Sequence, residues 1–246
     1  MLAAVDIGNT FTKFGIFDGD VLTSKLSIPT KRNARASEIR RAIGDDLAIA
    51  AEAVFVCSVV PDIENGMRLF LKDATGLEPV FVDNSFDFGI SLNYAPRESL
   101  GTDRLVAMYA AVEKYGAPCI VCSLGTATTI DVVSADRQFL GGLIAPGMNT
   151  MAAALYINAS RLPRVRIDEP AELLGNSTAE CIRSGVYYGY VEMVTRLIAR
   201  CAAEVEDPLK IVTGGNAGVV TEVADVADPD LVLTGLRMLA RSVQPT

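Results

Sequence analysis

The stretch LAAVDIGNTFTKFGIFDGDVLTSKLSI spans residues 2–28 and decides the fold. Its apolar residues come in short runs broken at Gly8-Asn9 and again at Asp18-Gly19, which reads as two or three strands joined by tight turns. At Ala117 the pattern restarts. PCIVCSLGTATTIDVVSADRQFLGGLIAP, residues 118–146, again reads strand, polar glycine-containing turn, strand, polar turn, strand. Two halves thus open on the same meander, each with a polar glycine turn first: D-I-G-N-T at 6–10 and S-L-G-T-A-T-T at 123–129. Strands interleaved with helices give an α/β protein built from two related lobes, divided as residues 1–115 and 116–246.

Outward from these meanders the elements alternate. Ala34 to Ile49 reads as a helix, and VFVCSVV (54–60) as a buried strand ended by Pro61. A helix from Glu64 to Ala74 precedes a strand, PVFVD, at 79–83. Residues 91–104 read as loop, with a helix from Leu105 to Lys114. In the second half Asn149 to Leu155 is helical. A longer helix, Ser177 to Glu204, carries Val186, Tyr190, Met193, Val194, Leu197, Ile198 and Cys201 at spacings of three and four. KIVTGG (210–215) is a strand ending in a double glycine, and residues 231–243 an extended piece followed by a closing helix.

Composition narrows the chemistry. Half of the 246 residues are hydrophobic, enough for a sizeable core. The net charge of -8 disfavours nucleic acid and anionic membranes as partners. No run of apolar residues is long enough to span a bilayer, and Asp6 interrupts the place where a signal peptide is apolar; a cytoplasmic protein is expected. There is no histidine, which excludes Ser-His-Asp hydrolysis and leaves acid–base work to Asp, Glu, Lys or Tyr. The five cysteines include Cys119-x-x-Cys122, but within a strand those two face opposite sides, so a structural role is expected.

Three places carry candidate chemistry. In Asp6-Ile7-Gly8-Asn9-Thr10-Phe11-Thr12-Lys13 a carboxylate ends a buried strand, and glycine, amide, hydroxyl and ammonium groups follow. Such a turn suits phosphate: N–H groups and Thr10 bond its oxygens, Lys13 adds charge, and Asp6 can hold Mg²⁺ through water. An ordinary polar hairpin has the same look. Gly125-Thr126-Ala127-Thr128-Thr129 with Asp131 is a second turn rich in small donors. Gly214-Gly215 is a third, open either to a nucleoside or to simple helix entry. Gly101-Thr102-Asp103-Arg104, after Tyr94, sets a carboxylate beside a guanidinium at a loop-to-helix junction: a base with an anion clamp, or a helix cap. Neither G-x-x-x-x-G-K-[ST] nor G-x-G-x-x-G occurs, which excludes a P-loop and disfavours a dinucleotide site.

The ordered set D-I-G-N-T-x-x-K at 6–13, S-V-V-P at 58–61, Y-x₆-G-T-D-R at 94–104, G-T-A-T-T-x-D at 125–131, G-G-L-I-A-P-G at 141–147, S-T with S-G-V-Y-Y-G-Y at 177–190 and T-G-G at 213–215 resembles the type III pantothenate kinases. The resemblance spans nearly the whole chain. It implies an actin-like ATPase fold of two ribonuclease-H-like lobes, mixed sheets flanked by helices. It implies ATP-dependent phosphorylation of pantothenate, the first step of coenzyme A synthesis, with Mg²⁺ and a monovalent cation (K⁺ or NH₄⁺), by a homodimer. By position, residues 6–13 and Thr126 would bind ATP, with Asp6 near the metal. Tyr94, Gly101, Thr102, Asp103 and Arg104 would hold pantothenate, with Asp103 as general base, and Thr178 would contact it from the partner subunit. The sequence departs from the family at Ser123, where an aspartate usually ligates the monovalent cation. A neutral hydroxyl is the weaker ligand, so weak cation dependence or reduced activity is expected. Two other readings stand beside the active kinase: a kinase-like regulator that binds nucleotide or pantothenate, and a kinase for another small hydroxy acid.

Overall fold

The computed structural model describes residues 1–44 and 51–243, which fall into two compact units. The first unit comprises Met1–Lys114 together with Asp230–Thr246. Its meander is β1 (Leu2–Ile7), β2 (Phe11–Asp18) and β3 (Val21–Pro29). It continues through α1 (Ala36–Ile43), β4 (Ala53–Ser58), α2 (Pro61–Thr75), β5 (Val80–Phe81), the short β6 (Ser91–Leu92) and α3 (Thr102–Tyr115). The sheet order is β3-β2-β1-β4-β5, antiparallel in the meander and parallel from β1 through β4 to β5. The helix read from Ala34 ends at Ile43, where Gly44 follows with φ 61; what was expected beyond 44 lies outside the described residues. Pro61 does not merely end β4. It opens α2 at the first helical position, where its missing N–H costs nothing.

The second unit, Tyr115–Pro229, repeats the plan. Strands β7 (Cys119–Leu124), β8 (Ala127–Val133) and β9 (Gln138–Pro146) form the meander; α4 (Met148–Asn158), α5 (Thr178–Ala202), β10 (Leu209–Thr213) and β11 (Val226–Ala227) follow. Within this unit the order β9-β8-β7-β10-β11 parallels that of the first sheet, again with parallel pairing after the first strand. Even the register shift recurs, at Ile16/Phe17 in one unit and at Val132/Val133 in the other.

Each unit has its own core. Val5, Ile7, Phe14, Val56, Met67 and Leu71 anchor the first, between the sheet and α1 and α2. In the second, Ile120, Cys122, Leu124, Ile130 and Val212 pack on the α5 stripe of Ile182, Val186, Tyr190, Val194 and Ile198. That stripe is a core face. Tyr190 is fully buried and would strand its hydroxyl, but the oxygen lies 2.7 Å from the Thr128 hydroxyl, so neither polar group is left unpaired.

The closing helix departs from the sequence reading. Residues Leu231–Val243 are helical throughout (α6), with no extended lead-in, and pack on β1, β2 and β4 of the first unit rather than on the second. Lys25 pairs with Asp230 at 2.8 Å, and Arg237 and Arg241 share Asp20 in the β2–β3 turn. The apolar residues Leu231, Leu233, Leu236, Leu239 and Ala240 are buried there. Among the described residues no helix is long and apolar enough to cross a membrane.

Candidate active site

The turn between β1 and β2 is built from the ladder outward. Asp6 pairs with Lys13 across the antiparallel strands, which sets both side chains on one face; Asp6 Oδ2 and Lys13 Nζ are 3.9 Å apart. The Gly8 N–H donates to the Phe11 carbonyl at 3.1 Å and closes the turn. Asn9, Thr10 and Phe11 project into solvent. The side chains of Ile7 and Thr12 are fully buried, so within the expected ATP stretch they place their neighbours and do not themselves reach a ligand. The Thr12 hydroxyl lies 2.9 Å from that of Thr30, which in turn donates to the Gly8 carbonyl at 2.7 Å. The Thr30 N–H donates to Thr10 O at 2.9 Å. Thr30 thus braces the turn from the end of β3. No sequence signal marks it, because a threonine after a strand is ordinary.

The second constellation lies in the same unit. The helix starts earlier than read, at Thr102, so Asp103 falls in the first turn of α3. There the helix dipole favours a negative charge. Asp103 Oδ1 accepts from the Arg104 N–H at 2.9 Å. A Cβ on Gly101 would sit 2.6 Å from that same oxygen. Glycine is therefore what lets the carboxylate lie back over the chain. Arg104 is buried and Tyr94 is half-buried in the preceding loop.

Electrostatics link the two places. Burial pushes the Asp6 carboxyl up to about 6; Lys13 opposes the shift and the nearby Asp103 charge adds to it. Burial also raises Asp103, against the pull of the Arg104 backbone N–H and guanidinium. Cys57, directly beside Asp6 on β4, is raised well above an ordinary thiol by burial first and by both carboxylates second, so it stays neutral beneath them. Asp6, Lys13 and Asp103 thus form one charged cluster at the carboxyl end of β1, and Arg104 follows in the chain. Lys13 pairs with Asp6, and the second carboxylate adds negative charge nearby; such an arrangement suits a divalent cation and phosphate oxygens.

In the second unit the β7–β8 turn occupies the corresponding place. Gly125 N–H donates to Ala127 O at 3.0 Å, and the Thr126 carbonyl accepts from Gly147 N–H at 2.9 Å and from the Thr150 hydroxyl at 2.6 Å. A Cβ on Gly147 would lie 2.0 Å from Gly125 O, so only glycine lets the chain between β9 and α4 pass this close beneath the turn. With its carbonyl held from below, Thr126 is exposed. Gly214, at φ +92, presses on the Leu124 carbonyl at the end of β7: its glycine serves backbone packing. Ser123 is half-buried and faces Thr129 across the ladder, whose buried hydroxyl has no hydrogen-bond partner. Thr178 is exposed at the start of α5, behind the Ser177 cap. Cys119 and Cys122 are free and buried, their thiols pushed up to about 12, which suits packing and not redox chemistry.

The structure gathers Asp6, Lys13, Gly101, Thr102, Asp103, Arg104 and Tyr94 in the first unit, while Ser123, Thr126 and Thr178 belong to the second. A family model described as type III pantothenate kinase matches residues 2–200. A type III pantothenate kinase of Desulfosudis oleivorans is 37% identical over 255 residues, covering 99% of this chain and all of that protein. One from Acidiphilium cryptum is 38% identical over 250 residues, covering 98% and 94%. Among solved structures, a ROK family glucokinase from Streptomyces griseus in complex with glucose and AMPPNP aligns over 98% of this chain and 99% of its own at 15% identity, with a TM-score of 0.57. That likeness gives the fold: mixed α/β units of the actin-like ATPase and sugar-kinase kind, in accord with the sheet order. The chain belongs to the type III pantothenate kinase family.

Proposed function

We propose that the protein transfers the γ-phosphoryl group of ATP to the primary hydroxyl of pantothenate, giving 4′-phosphopantothenate for coenzyme A synthesis, and that Asp103 is the general base. The observation that carries this reading is the Asp6–Lys13 pair, 3.9 Å apart, with the Asp103 charge near enough to raise the Asp6 carboxyl. Phosphoryl transfer asks for alignment and charge neutralisation rather than covalent catalysis. Lys13 and the exposed Asn9 and Thr10 take the phosphates. Asp6 fits Mg²⁺, since burial and the nearby Asp103 charge raise its carboxyl against the pull of Lys13 3.9 Å away, and a further cation would offset both. When bound, the ion neutralises phosphate oxygens.

Arg104, in α3, pairs with the pantothenate carboxylate, Gly101, Thr102 and Tyr94 complete the acceptor contacts, and Thr178 reaches the acceptor from the partner subunit. Asp103 accepts the hydroxyl proton as the oxygen attacks. Its raised pKa, caused by burial, brings it nearer to what a base at neutral pH requires. Incubation with ATP, Mg²⁺ and pantothenate, read by chromatography, should give phosphopantothenate. Asp103→Asn should keep the fold and ATP binding while turnover falls by roughly two to four orders of magnitude. Absence of product under every cation condition leaves the regulator reading instead.

Two finer expectations belong to the same proposal. Ser123 and Thr129 offer neutral oxygens where the family's usual carboxylate would ligate a monovalent cation, so turnover should depend weakly on K⁺ or NH₄⁺. Strict K⁺ dependence with normal turnover defeats that expectation. The protein acts in the cytoplasm as a homodimer, in keeping with the exposed apolar side chains of the second unit, among them Leu143, Ile144, Tyr156, Ile157, Leu173 and Leu174. Light scattering on the eluting protein gives the mass that decides.

A further inference from the structure

The segment that carries Asp103 is held from outside by one side chain that none of the motifs contains. After β5, Asp83 makes a tight turn: its Oδ1 accepts from Ser85 N–H at 2.8 Å and from the Ser85 hydroxyl at 2.5 Å. This turn throws Asn84 back toward residues 97–102. Asn84 Nδ2 donates to the Arg97 carbonyl at 2.7 Å and to the Leu100 carbonyl at 2.9 Å. Its Oδ1 lies 3.4 Å from the Thr102 hydroxyl, a weak third link. The amide therefore spends both of its protons on one short segment, and both acceptors are carbonyls.

Residues 97–99 form a single 3₁₀ turn, tied within itself by Ser99 N–H to Pro96 O at 3.0 Å and Leu100 N–H to Arg97 O at 3.2 Å. Leu100 is buried beneath it. Gly101 follows, and its carbonyl starts α3 by accepting from Arg104 and Leu105. The path from Asn84 to the Asp103 carboxylate is thus Leu100, Gly101 and the first helical turn. A single helical turn without a partner is marginal in water, so an outside clamp decides its shape.

We infer that Asn84 is a positioning residue for the acceptor: it shapes residues 97–102 so that Gly101, Thr102 and Asp103 meet pantothenate correctly. The inference rests on the reading that this segment receives pantothenate. Asn84 is half-buried and lies outside the core clusters, so its removal acts on the segment and spares the fold. The phosphate turn at 8–10 has its own brace in Thr30, so binding of ATP is left alone.

The test compares Asn84→Asp, which keeps the size but has no protons to donate, with Asn84→Ser, which keeps one short donor. Steady-state kinetics should show KM for pantothenate rising about tenfold or more in Asn84→Asp, and less in Asn84→Ser. KM for ATP should stay within about twofold and the melting temperature close to that of wild type. Calorimetric titration with pantothenate alone should show the same weakening. An unchanged pantothenate KM in both variants, or an equal rise for ATP, overturns the inference. So does unfolding of both variants at assay temperature, which would place these bonds in the service of the fold. Asp103→Asn, assayed alongside, separates the two claims. If it turns over like wild type the acceptor reading itself is lost, whereas an inactive Asp103→Asn with normal Asn84 variants sinks the inference alone.

Discussion

Gly101→Ala is the sharpest single perturbation this structure offers. The new methyl carbon would stand 2.6 Å from Asp103 Oδ1. Carbon and oxygen ordinarily approach no closer than about 3.3 Å, so the carboxylate must retreat by roughly 0.7 Å or more. Retreat is easy, because the obstacle is the end of a side chain and not backbone. It costs the bond from Arg104 N–H, at 2.9 Å, or about 0.5–1.5 kcal/mol. Alanine restricts the unfolded chain more than glycine and returns about 0.4–1 kcal/mol. Stability should therefore change by less than about 1 kcal/mol, while the base is misplaced by most of an ångström. Displacements of that size cost about 10²-fold in rate. A coupled ADP-release assay should show kcat reduced about 100-fold, with ATP affinity and melting temperature near those of wild type. In the Asp103→Asn background the same substitution should cost almost nothing more, since the two changes act on one group. A kcat for Gly101→Ala within about threefold of wild type, or independent losses in the double variant, refutes the reasoning.

Two further outcomes follow from the same cluster. Folding raises the Asp6 pKa from 3.8 to about 6, so the folded state binds more protons than the unfolded state between those values. The contribution of Asp6 to stability is then fullest below 3.8 and is lost as pH rises to about 6, by about 3 kcal/mol in all. Asp6→Asn, which never ionises, should therefore gain stability relative to wild type between pH 4 and pH 7 in urea titrations while losing turnover; a gap that narrows over that range contradicts the assignment. In wild type, kcat/KM should fall as pH drops through about 6, where Asp6 takes up its proton. Thr30→Val leaves the Thr12 hydroxyl and the Gly8 carbonyl short of a partner, at about 1–3 kcal/mol, and should raise KM for ATP about tenfold without affecting pantothenate. Thr30→Ser should restore it; equal behaviour of Val and Ser would mean that the hydroxyl bracing is idle.

Much was legible in the chain alone. The two meanders, their polar glycine turns and the helices between them are local patterns: strand alternation and turn chemistry act over a few residues, so they survive without tertiary context. The lettering of residues 6–13, 94–104 and 125–131 likewise pointed to the right family before any coordinates. What the chain could not disclose concerns partners. The apolar residues of α6 are equally compatible with either sheet, because hydrophobic burial has no direction, and only packing put the helix on β1, β2 and β4. The expected ATP stretch could not separate exposed Asn9 and Thr10 from buried Ile7 and Thr12. Nor could it show that the Asp103 charge is felt at Asp6, that Thr30 props the Gly8 turn, or that Asn84 grips the segment before α3. Each of these joins residues far apart in sequence through one or two hydrogen bonds or a shared field. Such contacts depend on where the sheet and helices finally lie, and that is a property of the folded chain as a whole.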